Sequence, residues 1–343
     1  GLMYSAENYF TNAELYEIAS VLNEYQRPIF THMRGEGRSL LKSVDEVISI
    51  AKHTGVTLHI SHLKAAGKNN WGQVEDALKH IACAKDQGIS IEFDAYPYNA
   101  GSTAMYTLLP PRLQNGGMDA MIERLQGPER NEIIRELGTE TKEWDNLVFS
   151  TGWSSVIVAG GYFEGKTIEE VAKLRKKTPE ETCVDLVVES HGSVPIVFYS
   201  MSEQDVETVI TNPESTVISD GLYSPEGTPH PRRYGAFAKA VHKYSDKIGF
   251  EKMIYKMTQR PAEQIGIKER GIIAEGYKAD LVLLNRNTYK DKATYMIPKA
   301  FPEGIIYVIL NGEFVVENSA YTGKKQGKFL TRISRGENSF GRY

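Results

Sequence analysis

Residues 11–100 constrain this chain most, because a helix with a 3.6-residue apolar period, a short turn and a compact β-rich run recur there three times. Strands that follow one another across helices need crossover connections, so this rhythm predicts parallel strands and an α/β fold. The first helix starts at Thr11, with Glu14 three residues on as capping-box partner, and its apolar face includes Leu15, Ile18 and Leu22. A strand is expected over 28–32 (PIFTH) and a helix over 39–53 stopped by Gly55. The next strand is 56–62 (VTLHISH), followed by a helix over 72–87 closed at Gly88 and a strand over 89–95 (ISIEFDA).

Residues 101–200 break the rhythm and read as an insertion, punctuated by Gly and Pro. Helices are expected there near 118–137 and 167–190, with β-like pieces near 147–150 and 195–199. Residues 216–219 (TVIS) resume the strand pattern and end at Asp220; helices follow near 235–245 and 250–258. From Gly271 onward, apolar runs joined by Gly-containing turns predict a small β region, and the last twenty residues form a basic, Gly-rich tail or arm.

Charge narrows the function. The net charge of −4, with both signs spread along the chain, gives no electrostatic reason to expect nucleic acid or a membrane, so the expected partner is a small molecule. No apolar run reaches the roughly 18–20 residues of a membrane span, and Gly1–Tyr4 carries no secretory pattern. Cys83 and Cys183 both fall inside amphipathic helical segments, where buried thiols are expected rather than a disulfide; a reducing cytoplasm fits.

Three predicted strands end in residues that can ligate a metal: His32 closes FTH, His62 closes LHISH and Asp220 closes VISD. In parallel α/β barrels the C-terminal strand ends share one mouth, and imidazole with carboxylate suits zinc. A single histidine at a strand end is more often a structural hydrogen-bonding residue; three groups at equivalent positions shift the balance toward a site. His59 lies out of phase with His62 and reads as structural. Lys64 stands two residues beyond His62, where it could hold a substrate carboxylate or sit solvated, and Arg34, Arg232 and Arg233 are equally open. His230 could reach the mouth, and Asp94 and Tyr96 flank the end of the third strand.

Read together, THMRGEG, HISHLKAAG, DAYPYNAGST, ISDGLYSPEGTPHPRRYGAF and MTQRPAEQIGIKERGIIAEGYKADLVLLN resemble the N-acyl-D-amino-acid deacylase (D-aminoacylase) family of the amidohydrolase superfamily, in order along nearly the whole chain. The resemblance implies a TIM-type (β/α)8 barrel beside a small β-sandwich, with zinc at the mouth. It implies His32 and His62 as zinc ligands and Asp220 as general acid/base at the metal. Lys64, Tyr96 and Arg232 would contact the substrate's carboxylate or carbonyl, and Ser102 lies in the matching AGST turn. The implied reaction is zinc-dependent hydrolysis of N-acyl-D-amino acids.

The family also uses an H-x-H pair on the first barrel strand and a ligating cysteine, and neither occurs in a matching segment here. The expectation is therefore the second half of the barrel over 1–265, with the insertion near 101–200, and a portion of the sandwich plus the basic tail over 266–343. A half barrel would leave open strand edges, which favours a homo-oligomer or a complementing N-terminal segment. Two competing expectations stand beside the deacylase: an inactive fragment acting as an interaction module, and a cyclic amidohydrolase of the dihydroorotase or hydantoinase kind.

Overall fold

A computed structural model describes residues 1–222 and 227–330 of the chain. Its first hundred residues alternate as α1 (Asn12–Glu24), β1 (Ile29–Thr31), α2 (Leu40–Thr54), β2 (Leu58–Ile60), α3 (Val74–Asp86) and β3 (Ile91–Ala95). Helix α1 begins on the Thr11–Glu14 capping box. Helix α2 buries Leu40, Val44, Val47 and Ile50 on one stripe and stops at Gly55, whose φ of 72° lies in the left-handed region that glycine enters without steric cost. Each such aliphatic side chain contributes about 2 kcal/mol by leaving water; placing a charge at Val47 would therefore undo the α2 docking.

The stretch read from the sequence as an insertion follows as β4 (Ala100–Ala104), α4 (Gly117–Gln126), α5 (Arg130–Leu137), α6 (Leu147–Thr151), β5 (Val156–Val158), α7 (Ile168–Arg175), α8 (Pro179–Glu189) and β6 (Pro195–Tyr199). Then come α9 (Glu203–Thr211), β7 (Ser215–Val217), α10 (Arg232–Ile248), α11 (Phe250–Tyr255) and α12 (Gln259–Ile265). The described chain closes with β8 (Leu281–Leu284), β9 (Ile305–Leu310), β10 (Glu313–Glu317) and β11 (Ala320–Tyr321).

Three sheets result. Strands β1-β2-β3-β7 form an all-parallel sheet, with Ile29 opposite Leu58, Leu58 opposite Ile91 and Phe93 opposite Ser215. Strand β2 is buried along its whole length, as a strand covered on both faces must be. The insertion forms its own antiparallel sheet, β4-β6-β5, over a separate core that includes Leu109, Val171, Val184 and Ile196. The C-terminal strands form one antiparallel sheet, β11-β10-β9-β8.

Several local expectations change. Residues 147–150, read as β-like, begin helix α6, because Asn146 caps it by accepting from the Phe149 N–H and Val148 turns into the insertion core. Where two or three helices are expected over 118–137 and 167–190 the structure makes four, since the first stretch divides at 127–129 and the second near Lys176 with its φ of 55°. Cys183 is buried as expected, and burial pushes its thiol up to about 12; Cys83 is exposed, because the α3 stripe of Val74, Ala77, Ile81 and Ala84 leaves it on the outer face. Of the expected basic tail, residues 331–343 lie outside the described residues. Among the described residues no helix is long and apolar enough to cross a membrane.

Lys256 is a buried cation beside β7, donating to Ser215 Oγ at 2.7 Å and to the Asn212 carbonyl. Burial, reinforced by the Arg260 charge, lowers its pKa to about 7. Below that value the ammonium is charged in both folded and unfolded chains, and the cost of burying it is fully felt. Between about 7 and the ordinary lysine value near 10.4 the unfolded chain holds the extra proton, so stability rises with pH. Urea denaturation at pH 6.5 and 9.5 should show the wild type gaining ~3 kcal/mol more than Lys256→Met across this interval; equal pH slopes would remove the assignment.

Candidate functional site

The parallel strands carry polar groups just past their C-terminal ends: His32 after β1, His62 after β2, Tyr96 after β3 and Asp220 after β7. Backbone bonds prolong the ladder to hold them, from Ser61 N to Thr31 O at 2.9 Å, Leu63 N to Asp94 O at 2.8 Å and Ile218 N to Ala95 O at 3.0 Å. All four residues line a cavity of about 990 Å³, together with Lys64, Ser102 and Arg232. The residues expected as ligands, as acid/base and as substrate contacts thus line one cavity.

His32 and His62 come together. His32 Nδ1 lies 3.0 Å from His62 Nε2, and the rings meet edge-on at 4.6 Å. With them stands Glu36, from the turn between β1 and α2, whose Oε1 lies 3.0 Å from His62 Nδ1 and 2.5 Å from Lys64 Nζ. Lys64 Nζ also reaches His62 Nδ1 at 2.7 Å. Burial lowers the His32 pKa to about 3, with the neighbouring His62 and Lys64 acting in the same sense, so its imidazole is neutral. Burial opposes ionisation of Glu36, yet His32, Lys64 and His62 outweigh it and hold the carboxyl well below the usual carboxylate range.

Among the described residues, His32, Glu36 and His62 form a group whose ligating atoms all lie within 4.8 Å of one another. The donor set is two imidazoles and one carboxylate, which fits zinc and similar divalent ions. His32 Nε2 adds a specific sign: it is buried, stands 3.5 Å from Glu36 Oε2 and makes no hydrogen bond. Asp220 is not in this group. Its Oδ2 accepts from Arg232 Nη1 at 2.8 Å.

Arg232 is buried, with its guanidinium 4.5 Å from the centre of the Tyr96 ring and Nη2 3.5 Å from the Ser102 carbonyl. Burial raises the Tyr96 phenol above its ordinary value despite the Arg232 charge, so it is a standing donor. His230 does not line the cavity. Its Nε2 donates to Ala100 O at 2.9 Å and its Nδ1 accepts from Arg232 N at 3.0 Å; burial, with Arg232, depresses its pKa and keeps it neutral. Arg34 is committed to Glu46, Asn8 O and Phe10 O, and Arg233 lies 5.4 Å from the Tyr234 ring centre.

Two of these residues occupy left-handed backbone: His62 at φ 44° and Asp220 at φ 47°. Non-glycine residues there are strained and persist only where the surroundings over-determine them. For His62 the constraint is visible: Asp94 Oδ1 accepts its N–H at 2.5 Å, while Asp94 Oδ2 binds the buried His59 Nε2 at 2.6 Å. His59 in turn stacks on Phe30 at 4.5 Å. Neither Glu36 nor the support role of Asp94 was identified in the sequence. The Gly-Glu-Gly run 35–37 was the one available signal, since glycines leave room for neighbouring side chains to close on the turn.

Asp94→Ala should leave the His62 N–H and the His59 imidazole without acceptors. Loss of about 2–4 kcal/mol in chemical denaturation is expected; a loss below about 0.5 kcal/mol would show that the pair does not hold the turn.

A family model described as the amidohydrolase family matches residues 4–316. The D-aminoacylase of Alcaligenes xylosoxydans xylosoxydans is 29% identical over 97% of this chain and 61% of its own length. The structure of N-acyl-D-glutamate deacylase from Bordetella bronchiseptica, complexed with zinc and a phosphonate mimic of the tetrahedral intermediate, superposes with a TM-score of 0.74 at 25% identity, covering 92% of this chain and 58% of that one. A solved D-aminoacylase described for its binuclear metal centre, with one-metal activation and second-metal attenuation, gives 0.76 at 27% identity, covering 97% and 62%. The chain spans 58–61% of the length of the curated relatives it matches.

Proposed function

Because this chain belongs to the amidohydrolase family, we propose that it serves the metal-dependent hydrolysis of the amide bond of N-acyl-D-amino acids, with His32, His62 and Glu36 as ligands for one divalent ion, zinc by its donor set. The observation that carries the reading is the convergence of these three side chains at adjacent strand ends, in one cavity with the Asp220–Arg232 pair. The likeness to deacylases of D-amino-acid derivatives supports the substrate class. The four parallel strands, with their chemistry at the C-terminal ends, support the further proposal that they belong to a (β/α)8 barrel, with residues 1–265 as its portion, the insertion between β3 and β7, and residues 266–343 as a β-sandwich portion and basic tail.

When bound, a divalent ion polarises an amide carbonyl and lowers the pKa of water. The protein's own groups do the rest. Asp220, half-buried and open to the cavity, takes the proton of the attacking water and returns it to the amine nitrogen, which is otherwise too basic to leave. Arg232 orients Asp220 through their 2.8 Å pair and lines the same cavity, where its charge favours a substrate carboxylate. Tyr96 is protonated at all ordinary pH and donates to a carbonyl oxygen. Lys64 pairs with Glu36 and stands ready to pair with a substrate carboxylate, and Ser102 from a separate segment lines the same cavity, so the hand of the substrate is read by groups of different segments.

Amine release from a panel of N-acetyl-D-amino acids and their L-enantiomers, measured with added zinc, should be D-selective and should stop on chelation. Asp220→Asn should bind zinc like the wild type yet lose about 10²–10⁴-fold in turnover. Zinc-loaded chain with no preference for the D-series, or full turnover in the Asp220→Asn variant, would overturn the reading.

A further inference from the structure

One carboxylate of the insertion is hydrogen-bonded to the turn that carries Glu36. Asp145, on the stretch that leads into α6, accepts from Gly37 N at 3.0 Å, Ser39 N at 3.2 Å and Ser39 Oγ at 2.7 Å, across 106–108 residues of chain. Those donors belong to the turn that carries Glu36. The same turn is tied on its other side, where Gly35 N donates to Ser43 Oγ at 2.9 Å and Ala66 N donates to Glu36 O at 2.7 Å.

Helix α2 needs this help. Its N-cap residue, Ser39, makes no side-chain cap to its own helix, and no acidic residue stands in the first turn. Asp145 supplies both the acceptor and the negative charge that a helix N-terminus favours. The approach is close: a Cβ added at Gly35 would lie 1.8 Å from Ser39 Oγ and 2.8 Å from Asp145 Oδ2, and one at Gly37 would lie 2.6 Å from Leu147 Cδ2, so these side chains would have to move. The Gly-Glu-Gly run thus has two faces. Its glycines admit the insertion from outside, and its glutamate points inward to His62 at 3.0 Å.

We propose that Asp145 is a positioning residue for the metal site: by clamping the Gly35–Ser39 turn from the insertion, it sets the Glu36 carboxylate against His32 and His62. The inference rests on the three-ligand reading of His32, Glu36 and His62. It makes the insertion part of the metal site's support, with consequences for ion binding that do not depend on turnover.

The test uses the full chain and two metal probes, zinc by chelator competition and cobalt(II) by its visible absorption. Asp145→Ala should weaken zinc binding by about ten-fold or more, the range typical of lost outer-shell support, and should alter the cobalt spectrum at saturation. A general loss of stability would not change the saturated spectrum. Asp145→Asn, which keeps one acceptor oxygen, should recover part of both. Should Asp145→Ala fail to fold, Ser39→Ala removes a single bond of the clamp and should weaken zinc binding several-fold with native circular dichroism. Wild-type zinc affinity and spectrum in both variants, alongside loss of binding in Glu36→Ala, would overturn the proposal and leave the three-ligand reading intact. Wild-type binding in Glu36→Ala as well would remove the three-ligand reading and this proposal with it.

Discussion

A carboxylate taken out of water must be met by positive charge or by donors, and in this protein that requirement falls on Glu36. Its side chain is almost buried between His32, His62 and Lys64. Lys64 satisfies it directly, and the imidazoles complete the shell. The surroundings follow from that demand: Lys64 must reach inward from just beyond β2, His62 must turn its ring toward the carboxylate, and the turn after β1 must be tight enough to aim it. Removing any partner would leave a buried charge whose cost exceeds that of most single contacts in the fold.

Much of this was legible in the sequence, for physical reasons. The α/β rhythm survives because helical and strand periods are set by backbone geometry, and the parallel sheet needed only alternation and helical crossovers. His32, His62 and Asp220 could be singled out because strand ends are visible as the points where apolar runs stop. The cavity brings Lys64, Tyr96, Ser102 and Arg232 together with them. Glu36 was not legible. It is one of 44 acidic residues, lies on no periodic element, and gains its meaning only from a turn whose shape depends on contacts more than a hundred residues away.

The local misreadings share that cause. Leu147, Val148 and Phe149 have strand-like side chains, yet five residues become a helix because an asparagine cap and a waiting apolar core favour it. Cys83 lies in a helix whose apolar stripe faces elsewhere, and one residue of phase moves a thiol from core to solvent. In each case tertiary packing chose between alternatives that local sequence left nearly equal.

The left-handed backbone at His62 and Asp220 sets the molecule's preferences against its chemistry. At each position glycine would relieve about 1–2 kcal/mol of steric cost, so selection for robustness alone would steadily erase these two side chains. Any effort to harden this protein by following its most comfortable residues would converge on a sturdier shell with nothing at its mouth. At Lys176 the same conformation only divides one helix from the next, whereas at His62 and Asp220 it is occupied by side chains that line the cavity.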